Sequence, residues 1–142
     1  MSSSDNDLRV SLDQAFDLDG LVALRSAVAA HADRLGLPLA RIPELVLVAH
    51  ELASNAVRHG GGSGRVRMWR DGAALICEIR DSGPGLAASR SDGYGRPTVD
   101  APGGRGLWLA HTLCDLFAID SDDSGTVATA SMLVDIGTIP GT

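Results

Sequence analysis

Residues 45–85, LVLVAHELASNAVRHGGGSGRVRMWRDGAALICEIRDSGPG, hold a helix, a hairpin and a sharp turn in immediate succession. Leu45, Val48, Ala49, Leu52, Ala53 and Ala56 recur at helical spacing and form one apolar stripe, which stops at Gly60-Gly61-Gly62. Pro38 and Pro43 bracket the start of this helix. Val66 and Met68, then Ala74 to Ile79, alternate around Asp71-Gly72, a strong two-residue hairpin signal. The spacing therefore predicts paired antiparallel strands at 65–70 and 73–80, followed directly by the turn Asp81-Ser82-Gly83-Pro84-Gly85.

Working outward, Leu21, Leu24, Ala27, Val28, Ala32 and Leu35 predict an earlier helix over 19–35, with Asp17 or Asp19 at its start and Gly36 at its end. A loose alternation over 9–16 predicts an edge strand before it. On the other side, 86–103 is rich in Gly, Ser, Pro and Asp with almost no large apolar residue, as expected of a mobile loop. Helical spacing resumes over 106–117, and two final strands, about 117–121 and 126–134, flank a turn at 122–125. Hairpins with helices between them predict an α+β fold, a two-layer sandwich whose mixed, mostly antiparallel sheet carries helices on one face.

The 142 residues suffice for one domain, which at this size buries about 70% of the surface of its unfolded chain. The expected division is a disordered tail over 1–8, a single domain over 9–135 with a lid loop at 86–103, and a C-terminal tail over 136–142. A net charge of −6 without clustered Lys or Arg argues against a nucleic-acid partner. No apolar run approaches the roughly 20 residues of a membrane span, and the polar start Met1-Ser2-Ser3-Ser4 has no secretory pattern, so a cytoplasmic protein without a membrane partner is expected. Cys77 and Cys114 stand far apart in apolar surroundings and are expected to be reduced thiols.

Three segments carry candidate chemistry. Glu51 and Asn55, at i and i+4, lie about 40° apart around the helix and project together from the border of its apolar stripe. A carboxylate and a carboxamide there can offer a general base beside an oxygen ligand for Mg²⁺, although the pair taken alone reads more simply as a solvated helix edge. Asp81 at a strand end can accept a hydrogen bond from a ligand amino group, while Gly83 and Gly85 permit a close backbone approach; DSGPG alone is also an ordinary turn. Gly103-Gly104-Arg105-Gly106 opens a helix whose free N–H groups and positive dipole end can meet phosphate, or it is simply a flexible junction. His50-Glu51 starts an HExxH pattern that fails at Ser54, and Leu109 stands where a dinucleotide fingerprint needs glycine.

In order, ELASNAVRHG at 51–60, DSGPG at 81–85 and GRGLWL at 104–109 resemble the N, G1 and G2 boxes of the gyrase, histidine-kinase and anti-sigma-kinase (GHKL) ATPase superfamily. The likeness spans about residues 9–134 and is greatest to the anti-sigma-factor serine/threonine kinases of the RsbW type. It implies the Bergerat, or histidine-kinase-like ATPase, fold, with ATP and Mg²⁺ held beneath a lid between the G1 and G2 boxes. Carried over, Asn55 is the Mg²⁺ ligand, Glu51 the base that deprotonates the attacking hydroxyl, and Asp81 the reader of the adenine amino group. Gly83 and Gly85 lie beneath the nucleotide, Gly104, Arg105, Gly106 and Leu107 form the phosphate-facing segment, and Arg58 and His59 reach towards phosphate. Thr126, after Gly125, matches the threonine that supports adenine recognition.

Histidine kinases usually carry Asn or His where this chain has Glu51, whereas serine kinases and gyrase-type ATPases carry Glu. With no phospho-acceptor helix pair before this segment and no transducer domain after it, a two-component histidine kinase or gyrase-type machine is not expected. The resemblance implies a protein kinase whose partners are a sigma factor and an anti-anti-sigma antagonist, in a family that often forms homodimers. The alternative is an ATP-gated binding module that transfers no phosphate. Ser54 departs from the family in standing where Thr is common.

Overall fold

A computed structural model describes residues 10–83 and 104–134. The tails over 1–8 and 136–142, the lid over 86–103 and Gly85 lie outside the described residues. Strand β1 (Val10–Asp17) leads through a 3₁₀ turn (Leu18–Gly20) into helix α1 (Leu21–Arg34), and a second 3₁₀ turn (Leu39–Arg41) leads into helix α2 (Ile42–His59). Strands β2 (Ser63–Asp71) and β3 (Ala74–Asp81), helix α3 (Gly104–Leu113), and strands β4 (Leu116–Asp122) and β5 (Gly125–Leu133) complete it. The five strands lie in the order β1-β2-β3-β5-β4, and all four ladders are antiparallel, within the expected mostly antiparallel arrangement.

Asp17 caps the 3₁₀ turn, accepting from the Gly20 N–H at 3.1 Å, so α1 itself starts only at Leu21. Its end is a Schellman closure: Gly36 N–H donates to Asp33 at 3.1 Å and Leu37 N–H to Ala32 at 3.0 Å. Gly36 takes φ +97°, open to glycine at little cost. Pro43 sits in the first turn of α2, where a missing N–H costs nothing.

Asp71 pairs with Ala74, so the β2–β3 turn is Gly72-Ala73 rather than Asp71-Gly72. Gly72 has φ +62°, the first central position at which a II′ hairpin places glycine. Helix α3 ends at Leu113, short of the expected 117. The cause is Asp115, whose N–H donates to Ser131 and whose carboxylate accepts from Leu133 N–H and Arg41, drawing the chain into the sheet.

Val66 and Met68 of β2, Leu75, Cys77 and Ile79 of β3, and Ala128, Ala130 and Met132 of β5 point to one face. There they meet Leu24, Val28, Leu45, Val48, Leu52 and Leu107 of the three helices in one core. The opposite face carries a polar ladder, with Arg67 3.7 Å from Glu78 and over the Trp69 ring. Cys77 is buried and Cys114 half-buried, both unbridged. Burial pushes the Cys77 thiol up to about 12 and that of Cys114 to about 11, so both stay protonated at neutral pH. Among the described residues, no helix is long and apolar enough to cross a membrane.

Candidate functional site: a cleft between α2 and the ends of β3 and β5

Where α2 ends above the sheet, a narrow cleft opens. Its helical wall is Leu52, Asn55, Ala56, His59 and Gly60, which recur at the three- and four-residue spacing of one helix face. Ile79 and Asp81 of β3 and Thr126 and Ala128 of β5 form the sheet side; Leu107 of α3 and Ile119 of β4 close the remainder. Four predicted polar residues from three separate segments, Asn55, His59, Asp81 and Thr126, thus meet in one apolar-floored cleft. Leu107 joins them.

Asn55 is 8% exposed. Glu51, at 5%, lies one turn earlier on α2 and is not part of the cleft wall. Arg58 points outward and is exposed. Gly104, Arg105 and Gly106 make the first turn of α3, whose amides have no partner within the helix.

Asp81 is the most constrained polar group here. Its carboxylate accepts from Gly83 N–H at 2.9 Å and from the backbone N–H of Thr126, yet burial outweighs both and raises its pKa above the ordinary carboxylate range. Glycine surrounds it by necessity. A Cβ on Gly60 would overlap the Asp81 carboxyl group, one on Gly83 would overlap the Gly60 backbone, and one on Gly125 would overlap the Asp81 carbonyl. The end of α2, the turn after β3 and the start of β5 are therefore locked together at backbone contact distance.

Sequence reasoning missed Gly125 and Ser121, and the apolar floor of Leu52, Ile79, Ile119 and Ala128. Asp81 pairs with Thr126 across β3–β5, and Thr126 with Ser121 across β4–β5, so the three residues form one row. The Ser121 and Thr126 hydroxyl oxygens lie 2.9 Å apart. The Gly125-Thr126 step was the one local signal pointing there.

The donor set suits a purine nucleotide: apolar surfaces for the faces of the base, a carboxylate acceptor with a hydroxyl beside it for its edge, and a helix N-terminus for an anion. Among the described residues, no three His, Cys, Asp or Glu side chains cluster as a metal cage. Asn55 offers the cleft a carboxamide oxygen, the kind of ligand that Mg²⁺ takes in ones or twos while water and phosphate complete its octahedron.

Residues 15–132 match the model of the histidine kinase-like ATPase domain. Among solved structures, the RsbU and RsbW domains of Rv1364c from Mycobacterium tuberculosis superpose with a TM-score of 0.63 at 19% identity, over 87% of this chain and 33% of that one. The histidine kinase AdeS of Acinetobacter baumannii gives 0.54 at 17% identity, over 93% and 72%. The histidine kinase domain of the Erythrobacter litoralis EL346 blue-light activated kinase gives 0.55 at 18%, over 81% and 59%. At these identities the likeness is one of fold, and the chain spans only a third of the Rv1364c chain that holds the RsbU and RsbW domains. No curated protein matches the sequence. With its α+β sandwich and a family match over most of its length, the chain belongs to the histidine kinase-like ATPase domain family.

Proposed function

We propose that the chain is a Mg·ATP-dependent protein serine/threonine kinase of the anti-sigma type, which phosphorylates an anti-anti-sigma antagonist and sequesters a sigma factor. In this reading Asp81 accepts from the adenine amino group, with Thr126 beside it, and Asn55 supplies the carboxamide oxygen to Mg²⁺. The first turn of α3 and His59 face the phosphates, with Arg58 reaching towards them from the rim, and Gly83 lets the backbone lie beneath the nucleotide. ATP, when bound, supplies the phosphoryl group; the protein's part is to orient it and to take a proton from the attacking serine.

The observation that carries the kinase assignment is Glu51, a carboxylate one helical turn from Asn55 on the helix that walls the cleft. Its position matches the base of serine kinases rather than the Asn or His usual in histidine kinases. The RsbW domain among the structural neighbours is in keeping with this, at the level of fold. A second reading has its own support: Glu51 lies outside the cleft wall, which would suit an ATP-gated binding module that transfers nothing.

The two readings differ in one experiment. A positioned base contributes roughly 10²–10⁴-fold to rate and little to ground-state affinity. Glu51→Gln should therefore bind ATP nearly as well as the parent while losing most phosphotransfer to antagonist serines, followed with labelled ATP. Should the parent transfer phosphate to no candidate antagonist and hydrolyse ATP no faster than Glu51→Gln, the binding-module reading replaces the kinase.

A further inference from the structure

Asp81, Thr126 and Ser121 occupy one cross-strand row, and directly opposed residues on neighbouring strands project to the same sheet face. Asp81 and Thr126 reach the cleft, whereas Ser121 stands behind Thr126, away from its wall. An ionised carboxylate can only accept, so Asp81 distinguishes an amino group from a carbonyl unaided. A threonine hydroxyl both donates and accepts, and it rotates freely; alone it would serve either base edge. Thr126 is not alone, because Ser121 Oγ lies 2.9 Å from its Oγ1 and occupies part of its hydrogen-bonding capacity.

We propose that Ser121 is a positioning residue that sets purine specificity: it holds the Thr126 hydroxyl in one orientation, so that Thr126 and Asp81 present a single donor–acceptor pattern to a six-amino purine. This rests on the adenine reading of the cleft. In this arrangement the Thr126 hydroxyl donates to Ser121 Oγ, which fixes its rotation and leaves its lone pairs towards the base. Loss of Ser121 frees that hydroxyl to turn and satisfy a six-oxo purine. A residue that merely pairs strands would instead alter affinity for all nucleotides alike.

The test compares ATP with ITP, whose base differs from adenine only at the six-position and in the adjoining N1 proton. Both are titrated calorimetrically into the parent, Ser121→Ala, Ser121→Thr and Thr126→Val. One neutral hydrogen bond corresponds to about a two- to tenfold change in binding, so Ser121→Ala should lower the ATP-to-ITP affinity ratio about fivefold. Ser121→Thr, which keeps the hydroxyl on a strand that tolerates β-branching, should restore the ratio, and Thr126→Val should lower it at least as far as Ser121→Ala does. A Ser121→Ala protein that keeps the parent ratio, or weakens both nucleotides equally, overturns the proposal while leaving the adenine reading intact. A parent that binds neither nucleotide removes both together.

Discussion

At the scale of single residues, Asp81 is held at an energetic disadvantage in the absence of ligand. Burial raises its folded-state pKa. The protonated form is thus favoured by folding, and the stabilisation it brings is full below the unfolded carboxylate value and lost as pH rises through the folded value. At neutral pH the ionised group works against the fold. Asp81→Asn should therefore melt at or above the parent temperature at pH 7 without nucleotide, and the difference should shrink as pH falls through the raised folded-state value and the parent carboxylate gains its proton. The same substitution should cost about 1–3 kcal/mol of ATP affinity, the scale of a mismatched buried polar group. Thermal scans across this pH range and one ATP titration check both halves. Asp81 was legible in the sequence because a lone carboxylate precedes a glycine turn directly after a strand. Ser121 was not: only the register of β4 on β5 brings it to Thr126, and no local pattern encodes that register.

Among the elements, those whose ends are set by local chemistry were read closely, and those set by distant partners were not. The Gly36 closure of α1, the Pro43 start of α2 and the Gly72 hairpin each depend on residues within a turn of one another. Helix α3 differs, because Asp115 ends it through Arg41, 74 residues earlier, and Leu133, 18 residues later. This clip ties the start of α2 to the end of α3, for Arg41 also donates to the Leu113 carbonyl at 3.0 Å. Asp115 suffers some desolvation, which the Leu133 amide and the Arg41 guanidinium outweigh, lowering its pKa. Its stabilisation is present above the unfolded carboxylate value and lost as pH falls through the folded one. Charged hydrogen bonds contribute about 1.5–3 kcal/mol when buried, and this group is partly exposed, so Asp115→Ala should cost about 1 kcal/mol at pH 7. In denaturant titrations the gap from the parent should narrow steadily below about pH 4. A gap independent of pH would mean that the clip acts through packing rather than charge.

For the molecule as a whole, the layered arrangement brings segments far apart in the chain to one cleft. The helical face of α2 buries its stripe against β2, β3 and the two other helices and leaves its last turns beside the cleft at the ends of β3 and β5. Backbone contact of Gly83 with Gly60 and of Gly125 with Asp81 then holds the end of α2 against the ends of β3 and β5. The α+β layering followed from periodicity, and the three boxes were recognisable by order and spacing. The apolar floor and the glycine lock were not, since both exist only once the sheet is assembled. The central claim is that Asn55 and Asp81 grip opposite ends of one Mg·ATP. Its most direct measurement is calorimetric titration of ATP, with Mg²⁺ and with EDTA in its place, into the parent and Asn55→Ala. The parent should bind ATP in both conditions and more tightly with Mg²⁺, while Asn55→Ala should keep the metal-free affinity and lose the gain from Mg²⁺. Equal weakening with and without metal, or a parent that binds no ATP, would contradict the account.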